Sequence, residues 1–114
     1  MRELTVGQSL TAATSNTVYT VPKGCKAIIT TMWISNSTNS TKHTSASWYD
    51  NSDNTSITLI GSKNISSNDY LLFNSGRIVL DEYDELRITP ETGATMSAIL
   101  TMEIYQNTAY QNGS

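Results

Sequence analysis

The chain has 114 residues, 38% of them hydrophobic, which is one domain's length with enough apolar content for a core of its own. Charged residues are only 15%, and 17 Thr, 15 Ser and 10 Asn fill their place, a composition that argues against a helical bundle and for an all-β domain. The net charge is −3 and the seven Lys and Arg are scattered singly, so neither a nucleic-acid footprint nor a polybasic membrane patch is present.

In chain order, residues 2–6 read as a first strand or, with the segment to residue 16, as an extended N-terminal arm. Residues 17–21 form a strand that Pro22-Lys23-Gly24 stops, because proline cannot donate to a ladder. Residues 25–35 form the longest early strand. Its alternation is poor, since Ile28, Met32 and Ile34 compete with Ala27, Ile29 and Trp33. That pattern predicts burial on both faces, or an outer face that meets a partner. Cys25 is the single cysteine and reads as a small apolar residue at a strand start. Residues 36–42 are a polar loop, with His43, the one histidine, solvated beside it.

Residues 44–49 place Ala46 and Trp48 on one strand face. A turn over residues 50–54 follows, then a strand over 56–60 with Ile57 and Leu59 inward. Residues 70–73 are apolar on both sides and predict a strand covered on both faces. The Asn74-Ser75-Gly76 turn leads into a short strand ending at Leu80. Leu86 and Ile88 alternate with charged and polar residues up to Pro90. After a turn over 91–94, Met96, Ala98, Leu100, Met102 and Ile104 alternate with outward neighbours over ten residues. These last two strands read as a hairpin. Eight or nine short strands with regular turn signals predict a two-layer antiparallel β-sandwich, jelly-roll or immunoglobulin-like. It would form one domain over residues 1–114 with a polar tail at 107–114. The expected core includes Ile57, Leu59, Leu72, Ile78, Leu80, Leu86, Ile88, Ala98, Leu100, Met102 and Ile104.

The chemistry-bearing residues are sparse. No nucleophile motif, metalloprotease motif or glycine-rich phosphate loop occurs. Asp81, Glu82, Asp84 and Glu85 form the densest acidic group, which reads as a water-facing turn rather than a calcium site, because the ligand order and glycine of a calcium loop are missing. Asp50, Ser52 and Asn54 fail the same test at residues 55 and 61. Four Asn-x-Ser/Thr sequons match chance for this composition, and no apolar stretch of signal-peptide or membrane-span length accompanies them. The expectation is therefore a non-enzymatic protein, made in a cytoplasm, with no cofactor, metal, nucleic-acid or membrane partner. Trp33 and Trp48 read as core residues, with a sugar-stacking platform as the alternative. Arg2 and Leu4 near the start, with Tyr105 and Tyr110 near the end, are the candidate partner-contact residues, as aromatic and charged anchors in small-polar surroundings.

Two segments resemble small virion proteins of tailed bacteriophages. One is Val18-Tyr19-Thr20-Val21-Pro22-Lys23-Gly24, followed by the apolar strand to Ile34 and Ser35-Asn36-Ser37-Thr38. The other is Ile78-Val79-Leu80-Asp81-Glu82-Tyr83-Asp84-Glu85-Leu86, with the alternating strand to Glu103-Ile104. Together they cover about half the chain. Tyr83 stands where that family usually has Gly. The resemblance implies a β-sandwich without catalytic residues, carried as a homo-oligomer in many copies on the virion. Binding to the major capsid protein as head decoration or cement is the first expectation. A neck, tail or fibre-attachment component, or a carbohydrate-binding adhesin module, is the alternative.

Overall fold

A computed structural model describes residues 1–106; the tail segment at 107–114, with Tyr110, lies outside the described residues. The elements are β1 (Arg2–Leu10), β2 (Asn16–Thr20), β3 (Cys25–Asn36), β4 (Lys42–Asp50), β5 (Thr55–Ile65), β6 (Asp69–Phe73), β7 (Ile78–Leu80), β8 (Glu85–Pro90) and β9 (Met96–Gln106), with no helix among the described residues. They form two antiparallel sheets. Sheet A runs β1-β9-β3-β6, with β7 also paired to β3, and sheet B runs β2-β8-β4-β5. The fold is the expected two-layer β-sandwich. β1 and β2 lie in different sheets, as do β8 and β9, which is the jelly-roll arrangement rather than the immunoglobulin one.

Residues 2–10 are a strand laddered to β9 along their whole length, not a free arm. The predicted hairpin between β8 and β9 does not form. β8 pairs with β2 and β4, β9 pairs with β1 and β3, and the turn at 91–94 carries the chain from one sheet to the other. Adjacent alternating strands look alike whether they pair with each other or pack face to face, so periodicity could not separate the two. Glu91 anchors this crossing to the start of β4. Its N–H donates to the His43 carbonyl at 2.9 Å, and its carboxylate accepts the His43 N–H at 2.9 Å. That hydrogen bond, with Lys42 and His43 nearby, holds the Glu91 carboxyl below its usual pKa. His43 is thus a strand residue, not a loop residue.

The poor alternation of β3 has a definite cause. Its register against β9 shifts between Ile29 and Thr31, a β-bulge that inserts one residue. Ala27 and Ile29 face inward before the bulge, and Met32 and Ile34 face inward after it, all four buried. The parity of the strand therefore flips at Thr30, and Trp33, expected inside, is left on the outer face.

The core lies between the sheets and holds Leu80, Leu86, Ile88, Ala98, Leu100, Met102 and Ile104 as expected, with Val21, Ile29, Met32 and Ile34. Ile78 packs on its margin. Ile57, Leu59 and Leu72 are exposed instead. Leu72 sits directly opposite Trp33 in the β3–β6 ladder and shares its outward face, which also overturns the expectation that β6 is covered on both sides. Ile57 and Leu59 lie on β5, an edge strand whose register against β4 shifts twice, and both are exposed there. Asn36, read as part of the polar loop, is buried at the end of β3. Its amide donates to the carbonyls of Ser40, Ile65 and Ser66, and so ties the loop to the end of β5.

Tyr83 occupies the left-handed region at φ 67°, the third position of a turn closed by the Asp84 N–H on the Asp81 carbonyl at 3.0 Å. A positive φ at that position is what glycine supplies without steric cost.

Two measurements check this architecture. Leu100→Ala should destabilise the fold by about 2–5 kcal/mol, while Ile99→Ala, its outward neighbour, should change it by less than about 0.5 kcal/mol in urea unfolding. Tyr83→Gly should raise the unfolding free energy by up to about 1 kcal/mol, seen as a higher urea midpoint, because relief of the left-handed strain exceeds the added chain entropy.

Candidate functional site

The outer face of sheet A carries an ordered pattern. The register aligns Gly7 with Ile99, Ile99 with Trp33, and Trp33 with Leu72, giving one row across β1, β9, β3 and β6. Three of its four members are large and exposed: Ile99 at 47%, Trp33 at 38% and Leu72 at 37%. Tyr70, 51% exposed, lies one step along β6, and its ring stacks on Trp33 with centroids 4.5 Å apart and planes at 20°. On either side the row is bordered by small hydroxyl residues. Ser9, Ser97 and Ser35 align on one side, with a 3.0 Å bond between the Ser97 and Ser35 hydroxyls. Thr5, Thr101 and Thr31 align on the other, with a 3.2 Å bond between the Thr5 and Thr101 hydroxyls.

This surface suits a protein contact for a thermodynamic reason. Trp33 and Tyr70 brace one another, and Thr and Ser have few rotamers to lose, so little side-chain entropy opposes ordering at an interface. The sequence held one sign of the site, Ile99 at an outward position of a regularly alternating strand. Trp33 was hidden by the bulge and Leu72 by the apolar run around it.

At one end of the sandwich a cavity of about 480 Å³ opens between the starts of β1 and β3 and the end of β9. Met1, Arg2, Cys25, Ile104, Tyr105 and Gln106 line it. Arg2 and Tyr105, both predicted contact residues, thus come together. Leu4 turns inward and packs against the core margin. The Tyr105 hydroxyl donates to Glu103 Oε1 at 3.1 Å, which raises the phenol above its usual pKa, and Lys26 Nζ lies 5.9 Å from the ring centroid.

Within the acidic turn Asp81 is exposed, but Asp84 does not face water as expected. Asp84 is 2% exposed and serves as a hub. Its carboxylate accepts Trp48 Nε1–H at 3.0 Å, the Asn51 N–H at 3.0 Å and the Asp81 N–H at 2.9 Å, joining β4, the β4–β5 turn and the β7–β8 turn. Trp48 is accordingly half-buried beside the core with its polar edge satisfied. Glu82 accepts the Gly24 N–H at 2.6 Å, and Asp50 accepts the N–H and hydroxyl of Ser52, so these carboxylates also serve the backbone of turns. Among the described residues no group of three or more His, Cys, Asp or Glu is placed to hold a metal ion.

No family model matches this chain, and no curated protein matches its sequence. Solved structures do match its fold. A protein of Bacillus endospore appendages, described as a novel family of disulfide-linked pili, superposes with a TM-score of 0.55 at 11% identity, over 92% of this chain and 85% of that one. The globular domain of the zebrafish complement 1qA protein superposes with a TM-score of 0.49 at 16% identity, over 92% of this chain and 98% of that one. At these identities the likeness concerns the fold.

Asp84→Ala should destabilise the protein by about 3–5 kcal/mol, because three N–H donors lose their acceptor in a buried place. Trp48 emission should shift to the red in the same variant; an unfolding midpoint equal to wild type would show that water replaces the carboxylate.

Proposed function

We propose that this protein is a non-enzymatic structural subunit of a bacteriophage particle, present in many copies and seated on another virion protein through the outer face of sheet A. The observation that carries the reading is the exposed Ile99-Trp33-Leu72 row with Tyr70 stacked on it, bordered by Ser and Thr. Large apolar side chains held rigidly on a sheet face lose water on contact and give up little entropy. The virion setting rests on the resemblance of the two sequence segments, and capsid decoration is its first form, with neck, tail or fibre attachment next. Arg2 and Tyr105, at the end cavity, and Tyr110 in the tail segment are the proposed secondary contacts. The Bacillus pilus protein supports the reading in one respect: a sandwich of this fold can be built into a multi-copy assembly.

A second reading, a carbohydrate-binding or adhesin module, is favoured by the same Trp33–Tyr70 pair, since flat aromatic faces stack on sugar rings. The two readings separate in one comparison. The double substitution Trp33→Ser, Ile99→Ser should leave the unfolding midpoint close to wild type and reduce incorporation into particles at least tenfold, measured by quantitative mass spectrometry of purified virions. Unchanged incorporation overturns the proposed contact. Saturable quenching of Trp33 fluorescence by an oligosaccharide panel, with incorporation unchanged, selects the glycan reading.

A further inference from the structure

The five strands at sheet margins are unequal. β2 has five residues, a register shift against β8 and Pro22 just beyond it. β5 is long but twice bulged, with Ser62 in the left-handed region at φ 49° and Lys63 beside it. β6 has five residues and β7 three. Short length, bulges, lysine and proline are the devices by which proteins keep sheet edges from pairing with other chains. β1 has none of them. It runs nine residues in unbroken register with β9, contains neither Pro nor Lys, and of its inward-parity positions only Arg2, exposed at the end of the strand beside the cavity, is charged, while Leu4, Val6, Gln8 and Leu10 are not. Among the described residues its backbone ladders only with β9, so the N–H and C=O groups on its other side point away from the sheet unpaired.

We infer that β1 pairs antiparallel with β1 of a second copy about a two-fold axis through Val6, joining the two A sheets into one continuous sheet. The inference rests on the reading above that the chain works in many copies, and it names the contact between copies. The occupant is argued from the strand itself. In the two-fold register Arg2 meets the second copy's Leu10, Glu3 its Ser9, Leu4 its Gln8, Thr5 its Gly7 and Val6 its Val6. No like charges face each other, because the two charges of the strand both sit at one end. Leu4 and Val6, half-buried at the sheet margin, gain cover from the second copy's inward residues. On the outer face Gly7 presents no side chain of its own opposite the second copy's Thr5; a Cβ added at Gly7 would be in ordinary van der Waals contact with Ile99 Cγ1 at 3.7 Å.

The test uses the purified full chain and measures mass by sedimentation equilibrium, with amide exchange as the local readout. Wild type should form a closed dimer, with β1 amides gaining protection as concentration rises. Thr5 and Gly7 both lie on the exposed face and face each other across the axis, so charges placed there act on the pairing and spare the core. Thr5→Glu with Gly7→Glu should weaken the dimer at least tenfold, and Thr5→Glu with Gly7→Lys should restore or tighten it, both with wild-type circular dichroism. A wild-type chain that stays monomeric up to about 1 mM overturns the inference. So does a dimer that ignores both double variants, and so does open-ended polymerisation, which would mean head-to-tail pairing of unlike edges. A monomer that dimerises only after deletion of residues 107–114 would assign the edge to the chain's own tail and equally overturn it. Because these measurements need no particle, they fail or succeed independently of the virion reading.

Discussion

The bulge in β3 governs what the rest of this molecule presents. β3 is the long central strand of sheet A, paired with β9 along one side and with β7 and β6 along the other. Without the extra residue near Thr30, one parity would face the core along the whole strand. Either Met32 and Ile34 would then be expelled to solvent while Trp33 was driven into a layer already filled by Leu100 and Met102, or Ala27 and Ile29 would be expelled instead. The bulge lets Ala27 and Ile29 share the core with Met32 and Ile34 while Trp33 turns outward. Once Trp33 is outside, the ladders place Ile99 and Leu72 on either side of it, and Tyr70 within stacking distance. The candidate contact surface is thus a consequence of one inserted residue in one strand.

Polar residues settle the connections in the same economical way. Asp84, Asn36 and Asn16 are buried, and each spends its hydrogen-bonding capacity mainly on backbone groups of turns and strand ends, with Asp84 also taking the Trp48 indole N–H. A jelly roll needs such fastenings, because its chain passes from sheet to sheet and leaves backbone groups without ladder partners at each passage. No buried side-chain polar atom among the described residues is left without a partner. The acidic turn, read from sequence as facing water, is through Asp84 a fastening in space. The difference is made by which donors reach Asp84 first: three N–H groups from three segments.

The surface follows from composition. With few Lys and Glu, the sheet faces are covered by Thr, Ser and Asn, whose short side chains order cheaply but also give weak protection against association. β5 compensates with bulges and Lys63, while β1 and the outer face of sheet A do not. A protein working alone in solution has reason to blunt both features. Their presence together on one sheet is what the proposed contacts rest on.

Composition and period-two patterning determined the fold class, most strand positions and the deepest core, because Leu86, Ile88 and the even residues from Met96 to Ile104 report a face that is buried in any sandwich. The resemblance marked position 83 as one where glycine is usual, and the structure puts Tyr83 there in the left-handed region. Three things were decided only in the folded molecule. Which strands pair was one: β8 and β9 are neighbours in sequence but belong to opposite sheets, and alternation is the same in both cases. Which face is covered was another: Ile57, Leu59 and Leu72 are apolar enough for a core, yet they sit at margins or outer faces where no second layer reaches them. The third was the parity of β3, because a bulge adds a residue without a signature of its own. It reverses every side chain beyond it, and so it moved Trp33 from the expected core to the surface.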